Sequence, residues 1–376
     1  MSRFRPLIWP LTIVVLASIV YVVRIQHEMV DFAVYRQAAG RAMAAETLYR
    51  ESDGHYQFKY LPAFAFAMAP FARLDPEAAK AIWFALSVGL LSALIRWSVR
   101  GLPERRRSEQ ALIWLTILFL GKFYVRELNL GQTNILLATV LVGALLSAQV
   151  DQPGLAGALV GIGFFVKPYA LILLPWLLVA TGLTGLLVAL GVVIVGLLLP
   201  AAAYGWSGNL HEIVGWYRTV TDTSAPNLLI PENISLVTMW SKWLGAGTLA
   251  TRLAIGTGLA ALGVAAAVMT RRRTVSEPNY LEFGLLMLLV PLLSPQGWDY
   301  VLLIATPAFI CLLDRIGDMS RGWRAWTLAW MIVMSFTIFD LIGRRLYVGA
   351  MAISIISVSV VALVGSLAYT RWRALA

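Results

Sequence analysis

The chain has 376 residues, of which 59% are hydrophobic and 13% charged, with a formal net charge of +10 at pH 7. Soluble globular domains carry about 25% charged residues, so this composition excludes an ordinary water-soluble fold and calls for an apolar solvent, the lipid bilayer. The basic residues fall in short clusters between apolar runs rather than on one soluble face, which speaks against a nucleic-acid partner and matches the topology signals of membrane proteins.

Residues 1–6 are basic and precede an apolar run over 7–23. That run is long for a signal-peptide core and lacks a small-x-small cleavage site, so a retained first span entering from the cytoplasm is expected. Residues 26–59 are polar and too long for a tight turn; they predict surface helices, with helix-prone residues at 38–45. The stretch 60–71 is apolar but short and holds Pro62 and Pro70. A span needs about 20 apolar residues, whereas 78–99 is long enough. If both crossed, Arg105, Arg106 and Arg107 would lie outside. If only 78–99 crosses, they lie inside, together with Arg271 to Arg273, Arg315, Arg321, Arg324, Arg371 and Arg373, as the positive-inside rule requires. The stretch 60–71 is therefore expected not to span, and Arg344 and Arg345 become the exception that falls outside.

Later spans are expected at 111–125, 130–148, 155–166, 170–181, 183–204, 248–269, 281–293, 300–313, 323–341 and 347–369. With 7–23 and 78–99 these make twelve crossings with both ends inside. The expected architecture is thus an all-α polytopic membrane protein, one domain over 1–376, with outer loops at 26–77 and 205–242. The single cysteine, Cys311, lies in an apolar run and has no partner for a disulfide.

On this topology the polar residues that the charge rule does not explain gather on the outer face. They are Asp31 after the first span, Glu127, Gln132 and Asn134 around the turn between the third and fourth, and Lys167 at the end of the fifth. His211, Glu232 and Asn233 lie in the second long loop, and Asp299 opens the tenth span. Ionisable groups at membrane depth are costly and usually line a polar cavity or pair with each other. Each has a local alternative: Asp31 as a first-turn carboxylate, Glu127 as a partner of Arg126, Lys167 as a snorkelling lysine, Trp298 and Tyr300 as interface aromatics. HExxH, Cys/His metal sets and phosphate-cradling GxxxxGK[ST] are missing from the sequence.

In chain order, Asp31-Phe-x-Val-Tyr35 with Leu48-Tyr49, Phe58-x-Tyr60-x-Pro62 with Pro70, Gly131-Gln132-x-Asn134, Lys167-Pro168, Asn233-x-Ser235-Leu236 and Ser294-Pro295-x-x-Trp298 form a set. In these motifs the chain resembles glycosyltransferase family 87, the polyprenyl-phosphate-mannose-dependent alpha-mannosyltransferases of the GT-C superfamily, from about Asp31 to Pro307. The resemblance implies a GT-C fold with juxtamembrane helices in the first outer loop. It implies transfer of a sugar, mannose first, from a polyprenyl-phosphate carrier to a glycolipid or glycan acceptor outside the cytoplasmic (inner) membrane. Asp31 matches the catalytic aspartate position. Many members carry histidine after the Trp-Asp of the late motif, where this chain has Tyr300, so a histidine role would be lost, moved to His211 or taken by a phenol.

These residues suit an inverting transfer without metal or other cofactor. Asp31 would take the proton of the attacking hydroxyl. Lys167, Arg126 and Arg36 would stabilise the departing phosphate. Tyr35, one helical turn from Asp31, would join Tyr60, Glu127, Gln132, Asn134, Asn233, Trp298, Asp299 and Tyr300 in holding sugar and acceptor. The alternatives are a related enzyme moving arabinose, glucose or an amino sugar, and a polytopic transporter or lipid flippase, which would need polar residues reaching both faces.

Overall fold

The computed structural model describes residues 18–272 and 278–373, and within them every regular element is helical. Most of the expected span 7–23, and Arg273, lie outside the described residues. The helices are α1 (Val30–Met43), α2 (Pro62–Ala67), α3 (Ala69–Ala72), α4 (Pro76–Arg100), α5 (Glu109–Leu130), α6 (Asn134–Gln149), α7 (Pro153–Val166) and α8 (Leu174–Leu198). They continue as α9 (Ala201–Asp222), α10 (Leu236–Leu244), α11 (Thr248–Thr270), α12 (Asn279–Leu293), α13 (Thr306–Arg315), α14 (Arg321–Phe336), α15 (Phe339–Ala352) and α16 (Ile355–Arg373). Tight 3-10 turns at Glu51–Tyr56, Pro168–Leu173 and Asp299–Ala305 lead into α2, α8 and α13.

Among the described residues, five helical stretches are long and apolar enough to cross a membrane: Pro76–Arg100, Pro168–Leu198, Thr248–Thr270, Asp299–Asp318 and Ile355–Arg373. Two bent pairs, α5 with α6 at 119° and α14 with α15 at 101°, raise the number to seven. The expected stretch 60–71 breaks at Met68 into helices of six and four residues, about 9 and 6 Å long at 1.5 Å per residue. Neither can cross. Within Pro168–Leu198 the backbone leaves the helix at Gly182 (φ +69°). A Cβ at Gly157 would meet the carbonyl of Gly185, one at Gly161 that of Ala189, and one at Gly196 the ring of Phe165. The register therefore rises together along α7 and the arm after Gly182, and glycines let these backbones touch. Two parallel arms need a return stroke between them, which is 168–181. The expected spans 170–181 and 183–204 are thus two arms of one turned stretch, and the second stops before Pro200 rather than at Tyr204.

The C-terminal expectation needs two corrections. The span 323–341 ends at Phe336, and 347–369 divides at Ser354 (φ +55°). Between them α15 is mostly exposed, Arg344 and Arg345 included. The misplaced arginines therefore sit on a surface helix. Helix ends are fixed locally: Asp75 accepts from the amides of Glu77 and Ala78 at the start of α4, and Ser108 from Ala111 at the start of α5. Each such cap is worth about 1 kcal/mol.

Burial separates centre from rim. In the most apolar window of Asp299–Asp318, 89% is buried, against 11% in Pro168–Leu198 and 22% in Thr248–Thr270. The two poorly covered stretches present Leu183, Leu187, Ile194, Leu249 and Leu259 outward, as lipid-facing helices do. The arginine clusters meet at one end of the bundle. The Asp314 carboxylate accepts from the amides of Arg106 (2.9 Å) and Arg107 (2.8 Å), and Arg106 Nε reaches Asp318 at 3.0 Å. Buried Glu282 takes both Arg371 (3.0 Å) and Arg272. From this end α5 runs 22 residues to Leu130, about 33 Å away, and the site lies there.

Candidate active site

Helix α1 lies outside the spanning helices. Its first residues are pinned by Met29, whose amide donates to the Asn129 carbonyl at the end of α5 (2.9 Å). Phe32, Tyr35, Ala38, Ala39 and Ala42 recur at helical spacing and are buried. Phe32 stacks on Trp83 of α4 at 5.4 Å between ring centroids, and Tyr35 meets Tyr60 edge-on at 4.9 Å. Burying each such aromatic contributes about 1.5–3 kcal/mol, so the helix carrying Asp31 is held as firmly as a core element.

Across from α1, the chain breaks between α5 and α6. Gly131 takes a left-handed conformation (φ +69°) that ends α5, and a Cβ there would lie 2.8 Å from Phe32 Cβ. Trp83 Nε1 donates to the Gly131 carbonyl at 3.0 Å. Buried Glu127 then caps α6: its carboxylate accepts from the Asn134 amide, from Asn134 Nδ2 at 2.8 Å and from the Ile135 amide at 3.1 Å. This break presents Gln132 to α1.

A cavity of about 790 Å³ lies between these elements, and Asp31, Tyr35, Tyr60, Arg126, Gln132, Lys167, Trp298 and Tyr300 line it. Gln132 joins several of these side chains. Its Oε1 lies 3.1 Å from Tyr35 Oη, 3.2 Å from Tyr60 Oη and 3.3 Å from Lys167 Nζ, and its Nε2 lies 3.4 Å from Tyr300 Oη. Asp31 lines the same cavity as this group. Lys167 Nζ sits over the rings of Tyr60 (5.7 Å) and Tyr169 (5.9 Å). Arg126 pairs with Asp299 at 3.0 Å and covers the Tyr300 ring, which lies parallel to Trp298.

Burial pushes the Asp31 carboxyl above its ordinary value, against the opposing influence of Gln132, Lys167, Lys59 and His55. Burial pushes Lys59 down, and Asp31 opposes that. Burial also raises Tyr35 and Tyr60, which stay protonated. A carboxyl raised in this way is a better proton acceptor than an ordinary one, and the cations beside it oppose that rise.

Five expected site residues do not line the cavity. Arg36 donates to the carbonyls of Phe71 (3.3 Å) and Leu74 (2.7 Å), tying α1 to the end of α3. Glu127 and Asn134 satisfy each other at the start of α6. Asn233 accepts from the Ser235 amide and donates to the carbonyls of Asn227 and Pro295, holding the second long loop to the late motif. There it forms a bridge with Trp298. Asp299 stands behind Arg126. His211 is exposed and away from the lining.

The cavity also takes His55, Lys59, Tyr169, Trp216, Ser294 and Gln296, which the sequence reading missed. Lys59 lies inside the Phe58-x-Tyr60 motif as its unspecified position. Trp216 arrives on α9, whose Glu212 accepts from the Leu48 amide at 3.0 Å and whose Trp216 Nε1 donates to the Lys59 carbonyl at 3.2 Å. Among the described residues no group of three or more His, Cys, Asp or Glu gathers that could hold a metal ion.

The family model of glycosyltransferase family 87 matches residues 58–295, more than half of the chain. Comparison with curated proteins and with solved structures gave no match.

Proposed function

The chain belongs to glycosyltransferase family 87 and is an enzyme, and from that premise we propose that it moves a sugar, mannose first among candidates, from a polyprenyl-phosphate carrier to an acceptor hydroxyl. Asp31 is the general base. The acceptor oxygen attacks the anomeric carbon, the bond from that carbon to the phosphate oxygen breaks, and the acceptor proton passes to Asp31. One displacement inverts the anomeric centre. The leaving phosphate gains charge, and Lys167 and Arg126 stabilise it. Lys59 takes the place expected for Arg36, whose guanidinium is committed to backbone carbonyls. Tyr35, Tyr60, Gln132, Trp298 and Tyr300 hold the sugar and acceptor.

The observation that carries this reading is a half-buried carboxylate with Lys167, Lys59 and His55 around it, in a cavity at a membrane-protein helix end. A lipid-linked donor brings one phosphate to that depth, which cations there suit. The reading includes twelve crossings with the arginine end in the cytoplasm. It also places the site on the extracytoplasmic side of the cytoplasmic membrane, facing a glycolipid or glycan acceptor. The meeting of the arginine loops at the end opposite the cavity supports this sidedness.

The test is donor class. Purified enzyme with a membrane-lipid acceptor fraction transfers label from polyprenyl-phosphate mannose and not from a nucleotide-activated mannose. Transfer from the nucleotide sugar alone would overturn the proposal.

A further inference from the structure

We propose that α9 is an interfacial helix. It lies in the plane of the membrane at the cavity end, with one face in the lipid of the adjacent leaflet, one in water and one on the protein. The inference is independent of which sugar is moved and of which residue is the base.

The anchors of α9 set its course. The backbone leaves the helix at Gly205 (φ +68°), so the continuous part is 206–222, about 25 Å long at 1.5 Å per residue. Before this part, Tyr204 Oη donates to the Glu46 carbonyl at 2.9 Å. Within it, Asn209 Nδ2 reaches the Leu197 carbonyl at 2.9 Å, where the arm after Gly182 ends. One turn on, the Glu212 carboxylate accepts from the Leu48 amide. A Cβ at Gly215 would lie 2.9 Å from the Tyr49 ring, and Trp216 Nε1 donates to the Lys59 carbonyl. Past its end, Thr223 Oγ1 and Ser224 Oγ lie 3.2 and 3.1 Å from Gln296 Nε2. Lys59 and Gln296 line the cavity. Start, middle and end of α9 are thus tied to segments at the cavity end. The helix runs across that end and not along the bundle, and it is not among the stretches apolar enough to cross.

The side chains of α9 sort into three arcs. Trp206 (72%), Leu210 (63%), Val214 (40%) and Tyr217 (65%) are exposed. At about 100° per residue they fall within about 80° of one another. His211, Arg218 and Asp222 are also exposed, and they share the next arc, about 40° wide. Asn209, Glu212 and Thr219 are buried on the remaining side. Exposed apolar and exposed charged residues are therefore segregated. A helix wholly in water leaves the first arc unexplained, and one wholly in hydrocarbon strands the charges of the second. A helix lying in the headgroup region satisfies both, and tryptophan and tyrosine at the two ends of the apolar arc suit that level.

Continuity identifies the occupant as lipid. The arm after Gly182 presents Val195, Leu198 and Leu199 outward, and α9 begins just beyond Pro200. The apolar arc of α9 prolongs a surface that the bilayer already covers, so a protein partner would have to displace lipid from both. Trp216 and Val220 of α9 line the cavity. A single helix then separates the cavity from the leaflet.

The test uses the full chain with Cys311 replaced by alanine, reconstituted in phosphatidylcholine nanodiscs that leave both aqueous faces open. Leu210→Cys and Tyr217→Cys probe the apolar arc, His211→Cys and Arg218→Cys the charged one, and Leu187→Cys on α8 is the lipid reference. Each carries a nitrobenzoxadiazole label, read with doxyl-chain lipid and with aqueous iodide as quenchers. Val214→Cys replaces either apolar-arc variant if its melting temperature falls. The proposal predicts doxyl quenching at 210 and 217 close to that at 187 and at least about threefold above that at 211 and 218, with the iodide order reversed. Equal iodide access on both arcs overturns it, because the face is then in water. Protection of 210 and 217 from both quenchers also overturns it, because a protein surface then covers the arc.

Discussion

Lys59 and Lys167 both face Asp31, yet they differ in what their loss should do. Lys167 bonds Gln132 and is expected to meet the donor phosphate, so Lys167→Ala removes a charge-assisted contact of about 1.5–3 kcal/mol, roughly ten- to a hundredfold in donor affinity. Donor KM should rise by that factor while acceptor KM stays within about threefold. Lys59 opposes the burial that raises Asp31. A base works only when deprotonated, and activity is lost as pH falls through its pKa. Lys59→Met raises that pKa, so the acid limb of kcat moves to higher pH, the opposite of a stabilised carboxylate; a pH–rate profile from 5 to 9 checks it. The place of Asp31 at the cavity was legible from motif and depth. Lys59 was not, because its importance comes from the α9 packing that turns this segment over the cavity, and no local pattern encodes that.

At the scale of elements, the break between α5 and α6 carries the site. Sequence reading placed Glu127 and Asn134 in the pocket because their residue types suit sugar binding. The structure uses them to satisfy the start of α6, whose amides would otherwise be orphaned in a buried environment. A carboxylate can do this from either side of a turn, so residue type alone does not separate the cap from the ligand. Glu127→Gln keeps one acceptor and loses the charge. It should lower stability by about 1–3 kcal/mol, read as a fall in melting temperature in detergent, and leave the acid limb of surviving activity in place. Gly131→Ala sets a Cβ 2.8 Å from Phe32 at a positive φ, so α1 must shift. Transfer and melting temperature should fall together, whereas a wild-type enzyme from this variant would contradict the close packing of α1 on the break.

For the whole molecule, hydropathy and charge bias together placed 78–99, 111–125, 248–269 and 281–293 near their observed helices, because long apolar runs and arginine loops are local signals. The expected spans 170–181 and 183–204 already met at the turn at Gly182, whereas the bend after Phe336 and the surface helix α15 were not legible, since each depends on a single backbone conformation inside an apolar run. Sidedness is open to labelling. With Cys311 replaced by alanine, Gln57→Cys and Arg105→Cys should react from opposite sides of sealed membrane vesicles, the first from outside the cytoplasm. The claim that ties all three scales together is that Asp31 takes the acceptor proton in a transfer from a lipid phosphate. Its most direct test is single-turnover transfer by Asp31→Asn with saturating labelled polyprenyl-phosphate sugar, paired with donor binding to the same protein. Donor binding within about threefold of wild type, with transfer reduced by 10²–10⁴ or more, is the predicted result. Transfer at the wild-type rate would contradict the account.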